Sequence, residues 1–226
     1  DYLYSERIAR LPGFFMPYDL KALHSDDFAP LKRADFGLPD NQFVFCSFNE
    51  FHKVTREMFE SWVHILQSTP DSVLWIAMRG ALTLDELQAL FQSRGIHPDR
   101  IIPAERLDPF GKHLARLQLA DLMLDTFPYN SHTTACDAVA AGLPLITLSG
   151  KSFASRVSGS LLSSLGLDAL VLSNAEAYEQ LAIQLAQTPT TMAKIKHRLL
   201  TKLRTARSAD DYAKHMDALL LSLRAS

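Results

Sequence analysis

Short apolar runs alternate with longer amphipathic ones from residue 41 onward, and this alternation limits the fold more than any single motif. Gln42-Phe43-Val44-Phe45-Cys46-Ser47-Phe48 has the composition of a buried strand, and Met58, Phe59, Trp62, Ile65 and Leu66 then recur at helical spacing. A Pro70-Asp71 turn leads to a second strand, Ser72 to Met78. Thr83 with Glu86 three residues on is a capping box opening a helix, which Gly95 closes. Arg100 to Pro103 is a third strand, residues 111–120 a helix, and Asp121 to Asp125 a fourth strand. A helix over 133–141 is stopped by Gly142-Leu143-Pro144, before a fifth strand, Leu145 to Leu148. A helix over 153–165, a sixth strand over Ala169 to Leu172 and three further helical stretches complete the chain; the last of these starts from a cap at Ser208. Strands of four to seven residues separated by helices imply βαβ crossovers and a parallel sheet covered on both faces, an α/β fold. The first forty residues do not share this pattern. Their Leu11-Pro12-Gly13-Phe14-Phe15-Met16-Pro17-Tyr18 run blocks a continuous helix, and a polar stretch around Asp26-Asp27 follows. We therefore divide the chain into a lead-in segment (1–40), expected to come from a preceding lobe, and one α/β lobe (41–226).

Bulk properties exclude several partners. With 23 basic and 25 acidic residues the net charge is −2, which offers no electrostatic footprint for nucleic acid or a membrane surface. No apolar run is long enough to span a bilayer, and residues 1–4 carry no signal-peptide features. Cys46 and Cys136 form neither a metal spacing nor a disulfide framework and fit a reducing, cytoplasmic setting. Dinucleotide and phosphate-loop glycine motifs, the Gly-x-Ser-x-Gly elbow, Asp-x-Asp pairs and metal-ligand spacings are all missing. Neither a cofactor nor a metal is expected.

Ligands of parallel α/β sheets bind beyond the carboxyl ends of the strands, which directs attention to four loops. After the fourth strand, Asp125-Thr126-Phe127-Pro128-Tyr129-Asn130-Ser131 leads into His132, Thr133 and Thr134 at the opening of a helix. Unpaired first-turn amides with a partial positive charge suit a phosphate, and these side chains add donors. Asp137 lies one turn further, placed to accept from a sugar hydroxyl. The same run also fits an ordinary cap at Ser131 or Thr133 with His132 on the surface. Lys53, in the loop after the first strand, suits a diphosphate as a point charge, or is simply solvated. His113 and Arg116, three apart on a helix, either flank a base or ribose or form a surface pair.

Taken in order, Asn49-Glu50-Phe51-His52-Lys53, His113-Leu114-Ala115-Arg116, Leu124-Asp125-Thr126, His132-Thr133-Thr134 with Asp137, Gly142-Leu143-Pro144 and Ala154-Ser155-Arg156-Val157 resemble the C-terminal catalytic lobe of the protein O-linked N-acetylglucosamine transferase and SPINDLY family. The similarity covers residues 41–224, with a weaker trace from Tyr4 to Phe15. It implies a two-lobed GT-B enzyme with Rossmann-like lobes, UDP-N-acetylglucosamine as donor, and inverting, metal-independent transfer to Ser or Thr hydroxyls of proteins. By this resemblance Lys53 is catalytic and meets the distal phosphate. His132, Thr133 and Thr134 hold the diphosphate, Asp137 the ribose, and His113 and Arg116 the uridine side, with backbone near Asp108 and Phe110 on the base. Two positions depart from the family pattern: Glu50 stands where an amide is usual, and Phe110 where a lysine is. A fucose-transferring relative lacks a histidine before its threonines, so His132 favours N-acetylglucosamine. The acceptor cleft, the general base and protein-selecting helical repeats belong to a lobe and repeats preceding this one. Two alternatives stay open: a non-catalytic nucleotide-binding module, and a GT-B transferase using another sugar or a small glycan acceptor.

Overall fold

A computed structural model describes residues 5, 6, 8–20, 31–78, 82–206 and 208–224. The polar stretch at 26–27 and the start of the weaker trace at Tyr4 lie outside the described residues. Six parallel strands form one sheet: β1 (Phe43–Ser47), β2 (Ser72–Ala77), β3 (Ile101–Ala104), β4 (Leu122–Leu124), β5 (Leu145–Leu148) and β6 (Val171–Leu172). Their spatial order is β3-β2-β1-β4-β5-β6, so the direction of winding reverses between β1 and β4. That order makes the lobe Rossmann-like, and the reversal is where such sheets open a crevice. The helices are α1 (Arg56–Ser68), α2 (Leu84–Gln92), α3 (Phe110–Leu117), α4 (Thr133–Ala140), α5 (Val157–Ser164), α6 (Ala175–Gln187), α7 (Pro189–Arg204) and α8 (Ala209–Arg224).

Local chemistry accounts for most boundaries. Thr83 and Glu86 form the expected reciprocal box before α2, and Ser208 with Asp211 forms another before α8. Gly142, at φ +76°, closes α4: its N–H donates to Val139 O while Leu143 N–H donates to Ala138 O. This paired arrangement needs a left-handed residue, which glycine adopts without a Cβ penalty. Two segments differ from the periodicity reading. α5 starts at Val157 rather than 153, because Ser152 and Ser155 exchange side-chain and backbone hydrogen bonds that fold 152–156 into turns. β6 is reduced to two residues because Asp168–Leu170 coils into a 3-10 turn before it.

The core consists of β2, β4 and β5, buried throughout, most of β1 and the inner faces of the helices, with Trp62, Trp75, Phe45, Phe91 and Tyr178 among its largest members. Described parts of the lead-in pack onto it: Phe14, Leu20 and Leu38 are buried. Arg33 ties the segment to the sheet by donating to Leu119 O, Gln42 O and Asp121, whose carboxylate also accepts from Val44 N–H at 2.7 Å. At the other end, α8 buries no residue fully and leaves Leu220, Leu221 and Leu223 exposed. Only the side of α8 bearing Tyr212 and His215 lines a groove against Phe14, Met16 and Tyr18.

Candidate functional site at the sheet crossover

Asp125, the first residue past β4, organises the loop that follows. Its carboxylate is 1% exposed and accepts four hydrogen bonds: at Oδ1 from Thr126 N–H (2.9 Å), Ser131 N–H (2.7 Å) and Ser131 Oγ (2.5 Å), and at Oδ2 from Thr147 Oγ1 (2.7 Å). Four donors offset the cost of burying this anion, which forms no ion pair among the described residues. The Asp125 carbonyl in turn accepts from Tyr178 Oη of α6. Buried Asn130 extends the lattice by donating to Thr126 O and Leu148 O, and buried Asn49, after β1, donates to Ser131 Oγ at 2.6 Å. Ser131 is thereby committed to the loop and does not cap the helix. The N-cap of α4 is His132, which makes no side-chain cap bond. Among the described residues no protein acceptor meets the Thr133 and Thr134 amides, and α4 opens with these two donors pointing off its end.

On one side of this helix end stand Lys53, His132 and Glu50. Lys53 ends a short 3-10 turn (Phe51–Lys53) begun by Glu50; its Nζ lies 3.3 Å from Asn130 O and 4.1 Å from the Tyr129 ring centroid. Burial pushes the Lys53 pKa below the usual lysine value, with Asp125 and Glu50 opposing the shift. His132 packs between the rings of Tyr129 and Phe153, and its Nε2 is buried without a hydrogen-bond partner. Desolvation, then the nearby Lys53 charge, hold its pKa below the ordinary imidazole value, against the pull of Asp125.

A cleft of about 350 Å³ opens on the other side, lined by Thr133, Thr134, Asp137, His113, Arg116, Asp108 and Phe110 together with Phe48, Ala77, Arg106 and Leu107. Seven residues singled out in the sequence thus share one cavity, while Lys53, His132 and Glu50 stand outside its lining. His113 and Arg116 are not a surface pair. Arg116 is 2% exposed; its guanidinium lies 4.8 Å from the Phe48 ring centroid, donates to Glu105 O and donates through Nε to His113 Nδ1. Phe110 opens α3, is 54% exposed, and sets its ring 6.1 Å from His113. Asp108 is exposed and paired with Arg106. Asp137 is nearly buried, 3.7 Å from His113 Nε2, and accepts from Tyr18 Oη.

Sequence reasoning gave no role to Asp125, Asn49 or Tyr18, and offered Ser131 only as a helix cap, which the His132 N-cap replaces. An acid at a strand's carboxyl end followed six residues later by a serine was a usable signal for Asp125. Nothing local pointed to Tyr18, which meets Asp137 across 119 positions. Among the described residues no group of three His, Cys, Asp or Glu side chains is placed to hold a metal, and no helix is long and apolar enough to cross a membrane.

Residues 26–216 match the family described as Glycosyl transferase family 41. The chain is 36% identical over 211 residues to the "Probable UDP-N-acetylglucosamine--peptide N-acetylglucosaminyltransferase SEC" of Arabidopsis thaliana, covering 91% of this chain and 21% of that protein. It is 32% identical over 197 residues to the SPINDLY protein of Petunia hybrida, covering 84% and 20%. It therefore spans about a fifth of the length of these curated relatives. A solved mutant of the O-GlcNAc transferase of Thermobaculum terrenum superposes with a TM-score of 0.80 at 28% identity, covering 96% of this chain and 41% of that one. WaaG, a lipopolysaccharide glycosyltransferase, shares the fold alone, with a TM-score of 0.63 at 14% identity over 92% of this chain and 54% of that one. Matched by this family over residues 26–216 and by relatives over most of its length, the chain belongs to glycosyl transferase family 41.

Proposed function

We propose that this lobe binds UDP-N-acetylglucosamine and serves transfer of the sugar to Ser or Thr hydroxyls of proteins, with the acceptor cleft and general base supplied by the rest of a longer enzyme. One observation carries the reading: the α4 end, its first two amides without a partner among the described residues, stands near a cationic lysine and lines a cleft that gathers His113, Arg116 and Asp137. The diphosphate sits on the Thr133 and Thr134 amides, the ribose against Asp137, and the base beside His113, Arg116 and the exposed Phe110 ring. When the bond from the sugar's anomeric carbon to the distal phosphate oxygen breaks, that oxygen gains negative charge. Lys53 and the helix end stabilise it in a partly desolvated setting, taking the part a divalent ion plays elsewhere. Attack by the acceptor hydroxyl from the opposite face inverts the anomeric centre. His132, held neutral, keeps cationic repulsion away from Lys53 and offers a polar edge to the donor.

The test is calorimetric titration of the chain with UDP and with uridine. Replacing His132, Thr133 and Thr134 together by Ala removes about 2–4 kcal/mol of UDP binding, the sum of three ordinary side-chain hydrogen bonds to the diphosphate, and leaves uridine binding little changed. Equal losses for both ligands would contradict the phosphate assignment.

A further inference from the structure

Asp137 stands where the cleft meets the lead-in segment, and its two oxygens are treated differently. Oδ1 accepts from Tyr18 Oη at 2.5 Å. Oδ2 lies 3.7 Å from His113 Nε2, beyond hydrogen-bond reach though still within ion-pair distance. The state of that histidine follows from its other nitrogen. Arg116 Nε is 3.2 Å from His113 Nδ1, and a guanidinium only donates, so Nδ1 is the bare nitrogen and the ring proton sits on Nε2, facing Asp137. Arg116 itself is fixed by Glu105 O and by the Phe48 and Trp75 rings. The carboxylate is thus held from behind by a full hydrogen bond and faced from the cleft side by a donor that stops short of it. His113 lines the cleft, whereas Tyr18 lines the groove behind it. Oδ2 keeps acceptor capacity among the described residues, on the cleft side.

We propose that Tyr18 is a positioning residue of the donor site: by holding Asp137 Oδ1 it turns Oδ2 toward the cleft, where it accepts from a ribose hydroxyl of the nucleotide. This rests on the nucleotide reading of the cleft given above. Two features fit a fixed donor rather than a filler. The phenol's pKa is raised by burial and by Asp137, so it stays protonated throughout the working pH range. Its ring is wedged in the groove beside Phe14, Met16 and Tyr212, which sets the direction from which the hydroxyl arrives. The segment ahead of the sheet is then part of the donor site, and ribose recognition is shared between residues 119 positions apart.

The experiment titrates the 226-residue chain with UDP and with 2′,3′-dideoxy-UDP, comparing the parent with Tyr18→Phe, Asp137→Asn and the double variant. Tyr18→Phe keeps the ring and removes only the hydroxyl. We expect it to weaken UDP binding about five- to tenfold, to leave the dideoxy ligand within about twofold, and to add nothing once Asp137 is Asn. The unchanged dideoxy affinity also reports that the variant is folded. Equal weakening of both ligands, no change in either, or full additivity with Asp137→Asn overturns the proposal. A parent chain that binds UDP and its dideoxy analogue alike breaks the ribose assignment itself, and Tyr18 falls with it. A parent that distinguishes them while Tyr18→Phe does so equally well overturns the role of Tyr18 alone.

Discussion

The two sides of the α4 N-terminus are built on opposite plans. On the cleft side each charged group is hydrogen-bonded to neutral partners: Arg116 donates to Glu105 O and His113, and Asp137 accepts from Tyr18. On the lysine side, Lys53 has one long contact with a carbonyl and a ring face, and His132 Nε2 has no hydrogen-bond partner among the described residues. A paired constellation fixes geometry but spends most of its electrostatic capacity inside the protein. A sparsely paired one keeps its field available for an incoming anion. The difference suits a ligand with a shaped neutral end and a charged end, as a nucleoside diphosphate has.

Beneath both sides lies the Asp125 hub, and breaking it gives the largest effect. Asp125→Ala strands the Thr126 and Ser131 amides and the Ser131 and Thr147 hydroxyls, so denaturant unfolding should show a loss of about 3–5 kcal/mol. A loss below 1 kcal/mol would mean that the loop holds without its anion. Next in size, Lys53→Ala should cost about 1.5–3 kcal/mol in UDP binding, with the circular dichroism spectrum and uridine affinity intact. Undiminished UDP affinity would remove the contrast drawn between the two sides. Glu50→Gln acts in the other direction. Taking a carboxylate from beside Lys53 should tighten UDP binding by about two- to fivefold, an effect that added salt reduces.

A smaller effect belongs to His132. Its folded pKa lies below its unfolded one, so the unfolded chain binds more protons between the two values. The contribution is therefore fully present above the unfolded pKa and is lost as pH falls below it. Stability should decline from about pH 6.5 downward, and His132→Gln should flatten that part of the profile in thermal melts at stepped pH. A slope unchanged by the substitution would assign it to other groups. Smallest of all, Leu221→Ser on the outer face of α8 should move stability by less than about 0.5 kcal/mol, because that side chain is 64% exposed.

What the sequence makes visible is what repeats at short range. The capping box at Thr83 and Glu86, the glycine closing α4 and the strand-helix alternation are all set by neighbours a few positions apart, and the structure carries each of them. The loops beyond the strand ends could be located for the same reason, since the parallel fold was already evident. Distant partners left no such trace. Tyr18 sits in a proline-rich run that reads only as a helix breaker, and its Asp137 contact has no periodicity to betray it. Arg116 shows why residue type alone misleads: a charged residue on an amphipathic helix is usually solvated, yet here aromatic faces and a carbonyl accept its burial. Ser131 was legible as a hydroxyl at a helix start, but the stronger claim on it came from Asp125, two hydrogen bonds against one cap.

The stitching of residues 126–131 to Asp125, Leu148 and Ser158 also has a kinetic meaning. A phosphate-binding loop that must close over its ligand adds an ordering step to association and an opening step to product release. Here the amides of Thr133 and Thr134 follow a loop whose own hydrogen bonds hold it in place without a ligand. On the proposed reading, capture at this helix end needs no rearrangement of the loop, and the lifetime of a bound nucleotide would be set by the strength of its contacts instead of by the rate at which protein moves out of its way.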